Sequence, residues 1–544
     1  MHEVLIGLLL FAALGLAALS GAVKAQRGIR AATHQSMTGY AAYIQYMQDK
    51  HDLNRFGIAQ QLRRRLGGLA VFGISYHTIG LLGGAVVLYG PAILTGGPSV
   101  LGYGWPILAL LGLSVSASLA ELSSAVPTAG GCYHWSSALG GRKWGWRAGW
   151  LHIAGYTSLF TLTNIGCAIV IYSCLSNRLG YASSAVTMIV LLALITVSQA
   201  AVHYWGARAM RWLLSGGVWL HIAAVLVIAG GLMALSWPGL YSSEMLYSRL
   251  PAAESHGVSG LSGSLSWLIG LLWLQRLFIG QDGAGHGAEE ASDPRVRVPW
   301  AIYLSSVYTS IVGFALLAFM TLSWMGRSAP APGESGSLFV MMVQAAWSNS
   351  ILVLLLIAAC IWLSGLQAMG VLSRSIFAMA RDHSLPLSRK LAYVEPGAHL
   401  PIYSLLASAG MSLLLGVMLY GFFSQEAIPF LAAAALISLH AAYAIPIALR
   451  LRAGERHALL QDRVWHLGSW SRPAAWLSLL WLICAGLAAA LIWNRWAGAA
   501  VLGGFLLSQL ADLKYGSRHL AAMQGMLRRT QEEIIGIERK FPQQ

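Results

Sequence analysis

The sequence has few charged residues: Asp, Glu, Lys and Arg make up 10% of its 544 residues. Such a chain cannot cover a water-exposed globule with polar side chains, which excludes a set of soluble domains. Cysteine is also scarce, with five residues and no CxxC pair, so neither a disulfide framework nor a metal site is expected. The sequence lacks a phosphate-binding loop and a spaced nucleophile and base, which argues against an ATP-driven pump and against an enzyme. No cofactor is predicted.

Apolar residues make up 57% of the chain and recur in runs of roughly 20 along its whole length. Runs of this length are typical of transmembrane helices, because each can span the hydrocarbon core of a bilayer. We therefore predict an all-α integral membrane protein. Its thirteen predicted spans are residues 4–23, 69–95, 103–125, 148–175, 184–203, 210–235, 265–288, 300–325, 350–373, 402–422, 427–449, 474–493 and 496–513.

Basic residues outnumber acidic ones by 35 to 20, and their positions indicate membrane orientation rather than nucleic-acid binding. With the N-terminus outside, only Arg178, Arg249, Arg327 and Arg495 lie in outer loops, and Arg276 alone lies within a span. Every other Lys and Arg is then cytoplasmic, as the positive-inside rule requires. We predict a multi-pass protein of the cell (inner) membrane, surrounded by lipid, with its N-terminus outside and its C-terminus in the cytoplasm.

Residues 1–23 contain a span additional to the other twelve. Its leader lacks positive charge, its apolar core is long and basic residues follow it, which favours an uncleaved anchor over a signal peptide. Ala13, Ala17 and Gly21 repeat every four residues, and such a stripe of small residues lets helices approach closely. We expect this helix to pack against the core, or against a partner or a second copy of the chain.

Two polar segments flank the core. Residues 24–68 show amphipathic helical spacing from Tyr40 to Met47 and end with three consecutive arginines before the next span, so we expect them to lie along the inner membrane surface. A regulatory segment is the alternative. Residues 514–544 are charged and are predicted to form a short, solvated cytoplasmic tail helix.

Glycines interrupt two of the spans. The stretch 72–94 contains Gly80, Gly83 and Gly84, and residues 280–294, GQDGAGHGAEEASDP, follow another apolar run. Unpaired backbone groups are costly in lipid, so irregular backbone persists there only where it lines a cavity or is buried in protein. Paired breaks at matching positions of two halves are typical of transporters with inverted repeats. The alternative is that the glycines only allow close helix packing.

Four segments resemble the amino acid–polyamine–organocation superfamily, and within it the amino acid/choline/GABA permeases. They are AELSSAVPTAGGCYHWSSALG at 120–140, GQDGAGHGAEEASDPRVRVPWAI at 280–302, SRSIFAMARDHSLP at 373–386 and AAYAIPIALRL at 441–451, in that family's order and spacing. The resemblance covers residue 50 to about residue 513. It implies a LeuT-like core of twelve helices with 5+5 inverted repeats, to which residues 4–23 add one helix.

The resemblance also implies how the chain is divided. The expected parts are a first inverted repeat at 69–235, a second at 265–449 and two last core helices at 474–513, with 1–23, 24–68 and 514–544 outside the core.

Substrate-binding candidates lie at the two breaks. The resemblance implies that amides at the first break receive a substrate carboxylate and that the second break receives its amine. The candidates there are Gly80, Leu82, Gly83, Gly84, Gly280, Gln281 and Asp282, and Trp273, Trp362 and Tyr443 are candidates to face the substrate. Asp282 is expected to pair with the substrate ammonium or with Arg276, to cap the second half-helix, or both.

Arg276 stands where that family usually has an aromatic or apolar residue, and Gln281 stands where a tyrosine is common. A cation within a span costs at least about 2.5–3.5 kcal/mol on insertion scales, so it should have a partner. We predict that Arg276 pairs with Asp282 in the empty site and with a substrate carboxylate in the occupied one. That favours amino acids, including GABA-like ones, over choline or polyamines. Reaching the outer surface is the alternative for Arg276.

Four histidines receive different expectations. The resemblance places His221 where proton-driven members carry a basic residue, so it is the candidate for proton coupling, with a neutral hydrogen-bonded imidazole as the alternative. His77 is expected to line the inner vestibule, His152 to be structural, and His286 to brace the second half-helix.

Charged residues near the inner face are candidates for the ion pairs of an inner gate. They are Glu121, Glu289, Glu290 and Arg381, together with Arg142 and Arg295. The alternative is ordinary surface salt bridges, worth roughly 0–1 kcal/mol each.

These features predict a secondary active transporter that moves a small amino acid or amine by alternating access and couples this movement to protons. The alternatives within the class are a choline or polyamine permease and an amino acid exchanger. The alternative from another class is a nutrient sensor that has the same fold but does not transport.

Overall fold

The computed structural model of the protein describes residues 2–33, 41–179, 184–205, 210–236, 242–248, 263–324, 337–513 and 529–541. These ranges are helical or irregular, and the only β-structure within them is two isolated bridges, Leu66–Ala291 and Glu395–Leu400.

The described α-helices are named here in chain order. The first half of the chain contains α1 (His2–Thr33), α2 (Ala41–Asn54), α3 (Gly68–Ile79), α4 (Leu81–Gly84), α5 (Gly90–Gly96), α6 (Trp105–Ala125), α7 (Cys132–Gly140), α8 (Arg142–Leu179), α9 (Ala185–Trp205) and α10 (Met210–Ser236). The second half contains α11 (Gly263–Gln275), α12 (Gly283–His286), α13 (Pro294–Trp324), α14 (Leu338–Ala346), α15 (Ser350–Arg381), α16 (Ser388–Leu391), α17 (Ile402–Phe422), α18 (Ala427–Ala453), α19 (Ala458–Gln461), α20 (Ser471–Ala488), α21 (Arg495–Ala511) and α22 (Gln531–Glu538).

Short segments of other helix types join or extend these helices. Widened π-helical turns occupy Ala85–Tyr89, Val100–Gly104 and Ala489–Trp493, and tighter 3₁₀ turns occupy Ser243–Tyr247, Arg276–Phe278 and Gly468–Trp470. Such departures from α-geometry inside apolar spans change the direction of side chains along a helix.

Within the described ranges, eleven helical segments are long and apolar enough to cross a membrane. They correspond to eleven of the thirteen predicted spans, and the remaining two predicted spans, 4–23 and 496–513, lie in α1 and α21. The prediction of an all-α, multi-pass integral membrane protein is confirmed.

Burial separates central helices from peripheral ones. The spans Gly68–Gly96 and Val100–Ala125 are largely buried in protein, whereas most residues of α9, α17 and α20 are half-buried or exposed. The long helix α8 packs against both α15 and α18, while α13 packs on α6 and α11 on α5. The two glycine-interrupted segments therefore lie inside the bundle, where protein covers their irregular backbone.

Helix α1 packs on the core along a stripe that differs from the predicted one. Ala13 and Ala17 are exposed, so they do not contact the core, whereas Gly21 does. The buried positions of α1 are Gly7, Leu14, Ala18, Gly21 and Ala25, which recur at three-, four- and seven-residue intervals on one helical face. The described residues of α1 give no support to a partner or a second copy on this helix, and that alternative stays a prediction.

Two tyrosines of the core define the contact with α1. Tyr303 donates a hydrogen bond to the carbonyl of Ala18 (2.8 Å) and its ring lies against Gly21, while Tyr247 lies against Gly7. Because glycine has no side chain, each tyrosine ring can pack directly against the backbone of α1. The small residues of α1 thus allow close helix approach, as expected, but the contact face is adjacent to the one that carries Ala13 and Ala17.

A leucine at Gly21 is expected to destabilise the protein, because a Cβ there would lie 3.1 Å from the Tyr303 ring carbon Cζ and closer still to its hydroxyl. Overpacking of this kind costs about 1–3 kcal/mol. Gly15→Leu is the matched control, since Gly15 has no neighbour within 4 Å. Thermal unfolding in detergent should show a lower Tm for Gly21→Leu only. Equal Tm values for the two variants would mean that α1 is not packed this way.

The segment after α1 packs against one end of the helix bundle. Tyr43, Ile44 and Met47 of α2 are exposed, and Tyr40 lies outside the described residues; the position of this segment along the inner membrane surface stays a prediction. Asp49 of α2 accepts a hydrogen bond from the amide of Asp293 (2.9 Å), and burial raises the pKa of Asp49. This segment, with 289–297, 374–399 and 450–466, forms one end of the molecule, called here the basic end.

The C-terminal helix α22 docks on the basic end. Lys50 pairs with Glu538 (2.5 Å), whose carboxylate also accepts a hydrogen bond from the amide of Gln60 (3.1 Å). Phe541 is buried beside Leu62 and Phe377. The expectation of a merely solvated tail is wrong for residues 529–541, because an apolar side chain at their end inserts into the protein.

Candidate substrate and coupling site

The first break separates α3 from α4. Helix α3 ends at Ile79, Gly80 adopts a left-handed conformation with φ 64°, and α4 begins at Leu81. Glycine reaches this conformation without steric penalty. Because α4 starts anew, the amides of its first turn, including those of Leu82 and Gly83, have no carbonyl partner one turn earlier in the helix. The break therefore presents backbone donors inside the bundle.

Two glycines of the first break have a packing role instead. A Cβ on Gly84 would lie 3.3 Å from Cγ of Leu277 and closer still to its Cδ2, and one on Gly83 would lie 3.2 Å from Ile361. The packing interpretation of the glycines therefore holds at these positions. Leu277 belongs to the second break, so Gly84 lets the two breaks meet.

The second break is longer than the first. Helix α11 ends at Gln275, a 3₁₀ turn carries Arg276, Ile279 is extended, and Gly280 has φ 96° before α12 begins at Gly283. A Cβ on Gly280 would lie 2.7 Å from the carbonyl oxygen of Thr78. Both the backbone conformation and the close approach require glycine here.

Side chains of α3 satisfy part of the second break. Thr78 donates to the carbonyl of Gly280 (2.6 Å) and Ser75 donates to the carbonyl of Gln281 (2.6 Å). The Ser75 hydroxyl also accepts from the amide of Ala284 (2.9 Å). The two breaks thus form one continuous polar region within the apolar bundle.

Asp282 lies at the centre of this region and is fully buried. Its Oδ1 accepts hydrogen bonds from the hydroxyls of Tyr443 (2.5 Å) and Tyr156 (2.8 Å), and its Oδ2 lies 2.7 Å from Nε2 of His152. His286 Nε2 is 3.5 Å from the same Oδ2. These five residues are called the Asp282 cluster. The side chain does not cap α12, so the predicted capping role is wrong.

Cys132 adds a possible metal ligand to the cluster, because its sulfur lies within 4.8 Å of His152 and Asp282 ligand atoms. Two ligands of a tetrahedral zinc ion, each about 2.0–2.1 Å from the metal, stand about 3.3 Å apart. The separation of 2.7 Å between His152 and Asp282 fits a direct hydrogen bond better than a coordination sphere.

Arg276 is buried, yet its Nε and Nη1 have no hydrogen-bond partner. The predicted pairing with Asp282 is wrong, because tyrosines and His152 already bind both oxygens of that carboxylate. Arg276 does not reach the outer surface either. Tyr156 and Tyr443 are close enough to interact with it electrostatically.

Two amide oxygens beside the second break also lack partners. Gln275 directs its nitrogen to Nε2 of His440 (3.2 Å), which leaves its Oε1 without a donor, and Oε1 of Gln281 has none. Buried polar atoms are normally paired, and an unpaired one points to water, an ion or a ligand. The region of the breaks therefore offers both unpaired donors and unpaired acceptors.

The predicted aromatic residues are divided between two environments. Tyr443 belongs to the Asp282 cluster, as described above. Trp273 instead packs edge-on against Trp493, with ring centroids 4.7 Å apart, and Trp362 donates from Nε1 to the hydroxyl of Ser198 (2.9 Å). Neither tryptophan makes a described contact with the breaks, because each lies on a helix face turned towards a peripheral helix.

His221 packs against α3, the helix that precedes the first break. Its Nδ1 contacts the carbonyl of Gly217 in its own helix (3.0 Å), its Nε2 has no partner, and its ring centroid is 4.7 Å from that of His77. His77 is buried within this contact. The proton-coupling role of His221 stays a prediction, and its described contacts include no carboxylate.

Ion pairs join the second break to α15 at the basic end. Arg381 makes a two-pronged contact with Glu289, both bonds at 2.8 Å, and Arg374 pairs with Glu290 (2.5 Å). Glu289 and Arg381 are buried, so the surface salt-bridge interpretation does not apply to them. Burial alone would raise the pKa of Glu289, but the Arg381 guanidinium lowers it below its ordinary value.

The other candidate gate residues have different partners. Glu121 pairs with Arg450 and accepts a hydrogen bond from the amide of Leu467 (2.7 Å), so it joins α6 to the segment before α20. Arg142 pairs with Asp512, and Arg295 with Asp52 and Asp462. Glu121 thus forms a separate buried ion pair at the basic end, and its role in an inner gate stays a prediction.

The sequence interpretation missed the importance of α8. His152 and Tyr156 stand four residues apart, on one face of that helix, and both bind Asp282. That spacing was a usable signal, because i and i+4 side chains of a helix point the same way. Ser375 of α15, 3.1 Å from His152 Nδ1, had no distinguishing pattern.

Comparison with solved structures supports the architecture described above. The fold is similar to that of MhsT in complex with L-phenylalanine, with a TM-score of 0.57, 11% identity, and coverage of 80% of this chain and 100% of MhsT. It is also similar to a variant of the manganese transporter of Eremococcus coleocola, with a TM-score of 0.52, 13% identity and coverage of 93% and 98%. The protein has the LeuT-like fold of membrane transporters, which confirms the predicted fold class.

Sequence comparison then gives the family. Residues 66–500 match the amino acid permease family, and the chain belongs to it. The amino-acid permease BAT1 homolog of Oryza sativa subsp. japonica is 26% identical over 79% of this chain and 85% of its own length. The GABA-specific permease of Saccharomyces cerevisiae is 24% identical over 83% and 80%. The protein is thus a permease-type transporter, and its relatives are not enzymes.

Proposed function

We propose that the protein is a secondary active transporter that moves a small amino acid across the cell (inner) membrane by alternating access, coupled to protons. In this proposal the basic end faces the cytoplasm and the N-terminus lies outside. The substrate binds where the two breaks meet, near the middle of the membrane.

The observation that carries the proposal is the unpaired Arg276 at the second break. A buried guanidinium with free N–H groups is a receptor for a carboxylate, to which it donates charge-assisted hydrogen bonds. The amides at the start of α4 add further donors for an anion. The 3₁₀ turn that carries Arg276 contacts α4, so both sets of donors belong to one region.

The acceptors of the same region suit the other end of an amino acid. Oε1 of Gln275 and of Gln281 are unpaired and can accept from an ammonium group. Asp282 is a weaker candidate for that role, because its oxygens are already bound. A substrate with both a carboxylate and an ammonium therefore pairs more of the orphaned groups than choline or a polyamine, which have no carboxylate.

A thermal-shift screen on the purified protein tests this proposal. L-Alanine, L-glutamate, GABA and the other protein amino acids would be compared with choline and putrescine, because a ligand that binds only the folded state raises its apparent stability. At about 100 times its Kd, the preferred ligand should contribute about 2.7 kcal/mol. Stabilisation by choline or putrescine, but by no carboxylate-bearing compound, would contradict the proposal.

A further inference from the structure

The Asp282 cluster contains a buried acid without a fixed counter-charge. Within the described residues no Lys or Arg contacts Asp282, and its only possible cationic partners are His152 at 2.7 Å and His286 at 3.5 Å. An isolated carboxylate in a dry interior is strongly disfavoured. The hydrogen bonds that Asp282 accepts from Tyr443 and Tyr156 offset part of this cost, and a proton on the neighbouring imidazole would offset more of it.

The contacts of His286 indicate that its Nδ1 is a hydrogen-bond donor and its Nε2 an acceptor. Its Nδ1 lies 2.8 Å from the carbonyl oxygen of Ala129, which can only accept, so Nδ1 carries a hydrogen. Its Nε2 faces Nε2 of His152 at 3.2 Å. Two N–H groups at that distance would oppose each other, so one nitrogen carries the hydrogen and the other accepts it.

The shorter contact places that hydrogen on His152. With Asp282 ionised, its Oδ2 can only accept, so Nε2 of His152 at 2.7 Å donates to it. The other nitrogen of His152, Nδ1, lies 3.1 Å from the hydroxyl oxygen of Ser375, which in turn lies 3.0 Å from the carbonyl of Val371. The state of Nδ1 thus depends on where the Ser375 hydrogen points.

Two protonation states fit the same heavy-atom positions. When Ser375 donates to Val371, its oxygen accepts from Nδ1, and His152 is an imidazolium paired with the Asp282 carboxylate. When the hydroxyl rotates to donate to Nδ1, His152 is neutral. One hydroxyl rotation therefore allows His152 to bind or release a proton without rearranging the bundle.

We propose that His152 binds the proton whose movement drives transport. In this proposal Nε2 of His152 pairs with Asp282, and the Ser375 hydroxyl hydrogen-bonds to Nδ1 in both protonation states. This inference rests on the proposed function and adds the residue that carries the proton. His152 lies on α8 and Asp282 at the second break, so loss of the proton removes the ion pair that ties the break to α8. Tyr156 of α8 still donates a hydrogen bond to Asp282, but the weaker attachment makes it easier for the break to move relative to that helix, which alternating access requires.

The surroundings of His152 favour this role over the predicted one of His221. The titratable and charged groups around the pair are His286, Tyr156, Tyr443, Cys132 and, next to the tyrosines, Arg276. Among them a carboxylate directly faces His152. An imidazolium at His221 would instead face His77.

Nuclear magnetic resonance of protein labelled with ¹⁵N-histidine tests the site without any substrate. At about neutral pH a buried imidazolium should be visible. The signal should be lost in His152→Asn, weakened in Asp282→Asn and in Ser375→Ala, and kept in His221→Asn. Ser373→Ala is the matched control, since the Ser373 hydroxyl bonds only within its own helix. Loss of the signal in His221→Asn, or its absence from the wild type, would overturn the proposal. So would one tightly bound zinc ion per chain.

Proteoliposomes that contain a pH dye separate this inference from the proposed function. The probe is an equimolar mixture of the twenty protein amino acids and GABA. Wild type should acidify the lumen when the mixture is added outside, whereas His152→Asn should exchange labelled amino acids with at least a tenfold smaller proton flux. Proton flux of wild-type size in His152→Asn overturns the inference alone. Absence of amino acid exchange by the wild type contradicts the proposed function, and the resonance experiment then still decides on the proton site.

Discussion

Arg276→Gln is expected to weaken the binding of carboxylate-bearing substrates by roughly 10- to 150-fold. A hydrogen bond to a charged group contributes about 1.5–3 kcal/mol, and Arg276 offers Nε and Nη1 unpaired within the bundle. Glutamine keeps much of the length of the side chain and one donor group but removes the charge. Titration of the purified variant with the best ligand of the thermal-shift screen measures the change in Kd.

Two comparisons make the Arg276 result specific. Arg495→Gln applies the same substitution to an exposed arginine and should leave the Kd unchanged. The amine that corresponds to the best ligand, but lacks its carboxylate, should bind Arg276→Gln as well as it binds wild type. Equal losses for both ligands, or no loss for either, would remove Arg276 from the carboxylate site.

Arg381→Ala is expected to destabilise the protein by about 3–5 kcal/mol. The substitution leaves Glu289 as a buried carboxylate without its two guanidinium hydrogen bonds, and an uncompensated buried charge carries a penalty of this size. Arg374→Ala is the control, because Arg374 and Glu290 are only partly buried and their pairing should contribute less. A fall in Tm confined to Arg381→Ala is predicted, and equal falls would contradict the distinction between the two pairs.

The same pair gives a pH dependence with a defined sign. Arg381 lowers the pKa of Glu289 below its ordinary value of 4.5, so the pairing contributes its full stability above that value. The contribution is lost as the pH falls through the lower pKa of the folded state. The difference in Tm between wild type and Arg381→Ala should therefore be constant near neutral pH and shrink in acid.

The pair of Glu289 and Arg381 joins the second break to α15. Opening the basic end by alternating access would have to separate this pair, and its role as an inner gate stays a proposal.

The architecture could be predicted from the sequence because its physical signals are strong. Runs of apolar residues identify the spans. Glycines within those runs identify the two breaks, where the backbone of Gly80 and Gly280 has positive φ. Side-chain partners could not be predicted in the same way. The proposed contact between Arg276 and Asp282 failed because it relied on sequence proximity, whereas residues far away in the chain supply the partners of Asp282.

The histidines show the same limit. The family resemblance favours His221 as the proton-binding residue because of its position. The place of His152 near a span boundary predicts only a structural role. The contacts that distinguish them come from other helices: a carboxylate faces His152, and a second imidazole faces His221. Only the three-dimensional packing of α8 against α15 and against the second break provides that information.

Counterflow in proteoliposomes tests the central claim most directly. Vesicles loaded with a high concentration of the best ligand from the thermal-shift screen would be diluted into medium that contains a trace of the labelled compound. An alternating-access transporter should accumulate the label transiently above its external concentration, and Arg276→Gln should do so only at higher ligand concentrations. Stable ligand binding without any accumulation of label would contradict transport and identify the protein as a sensor.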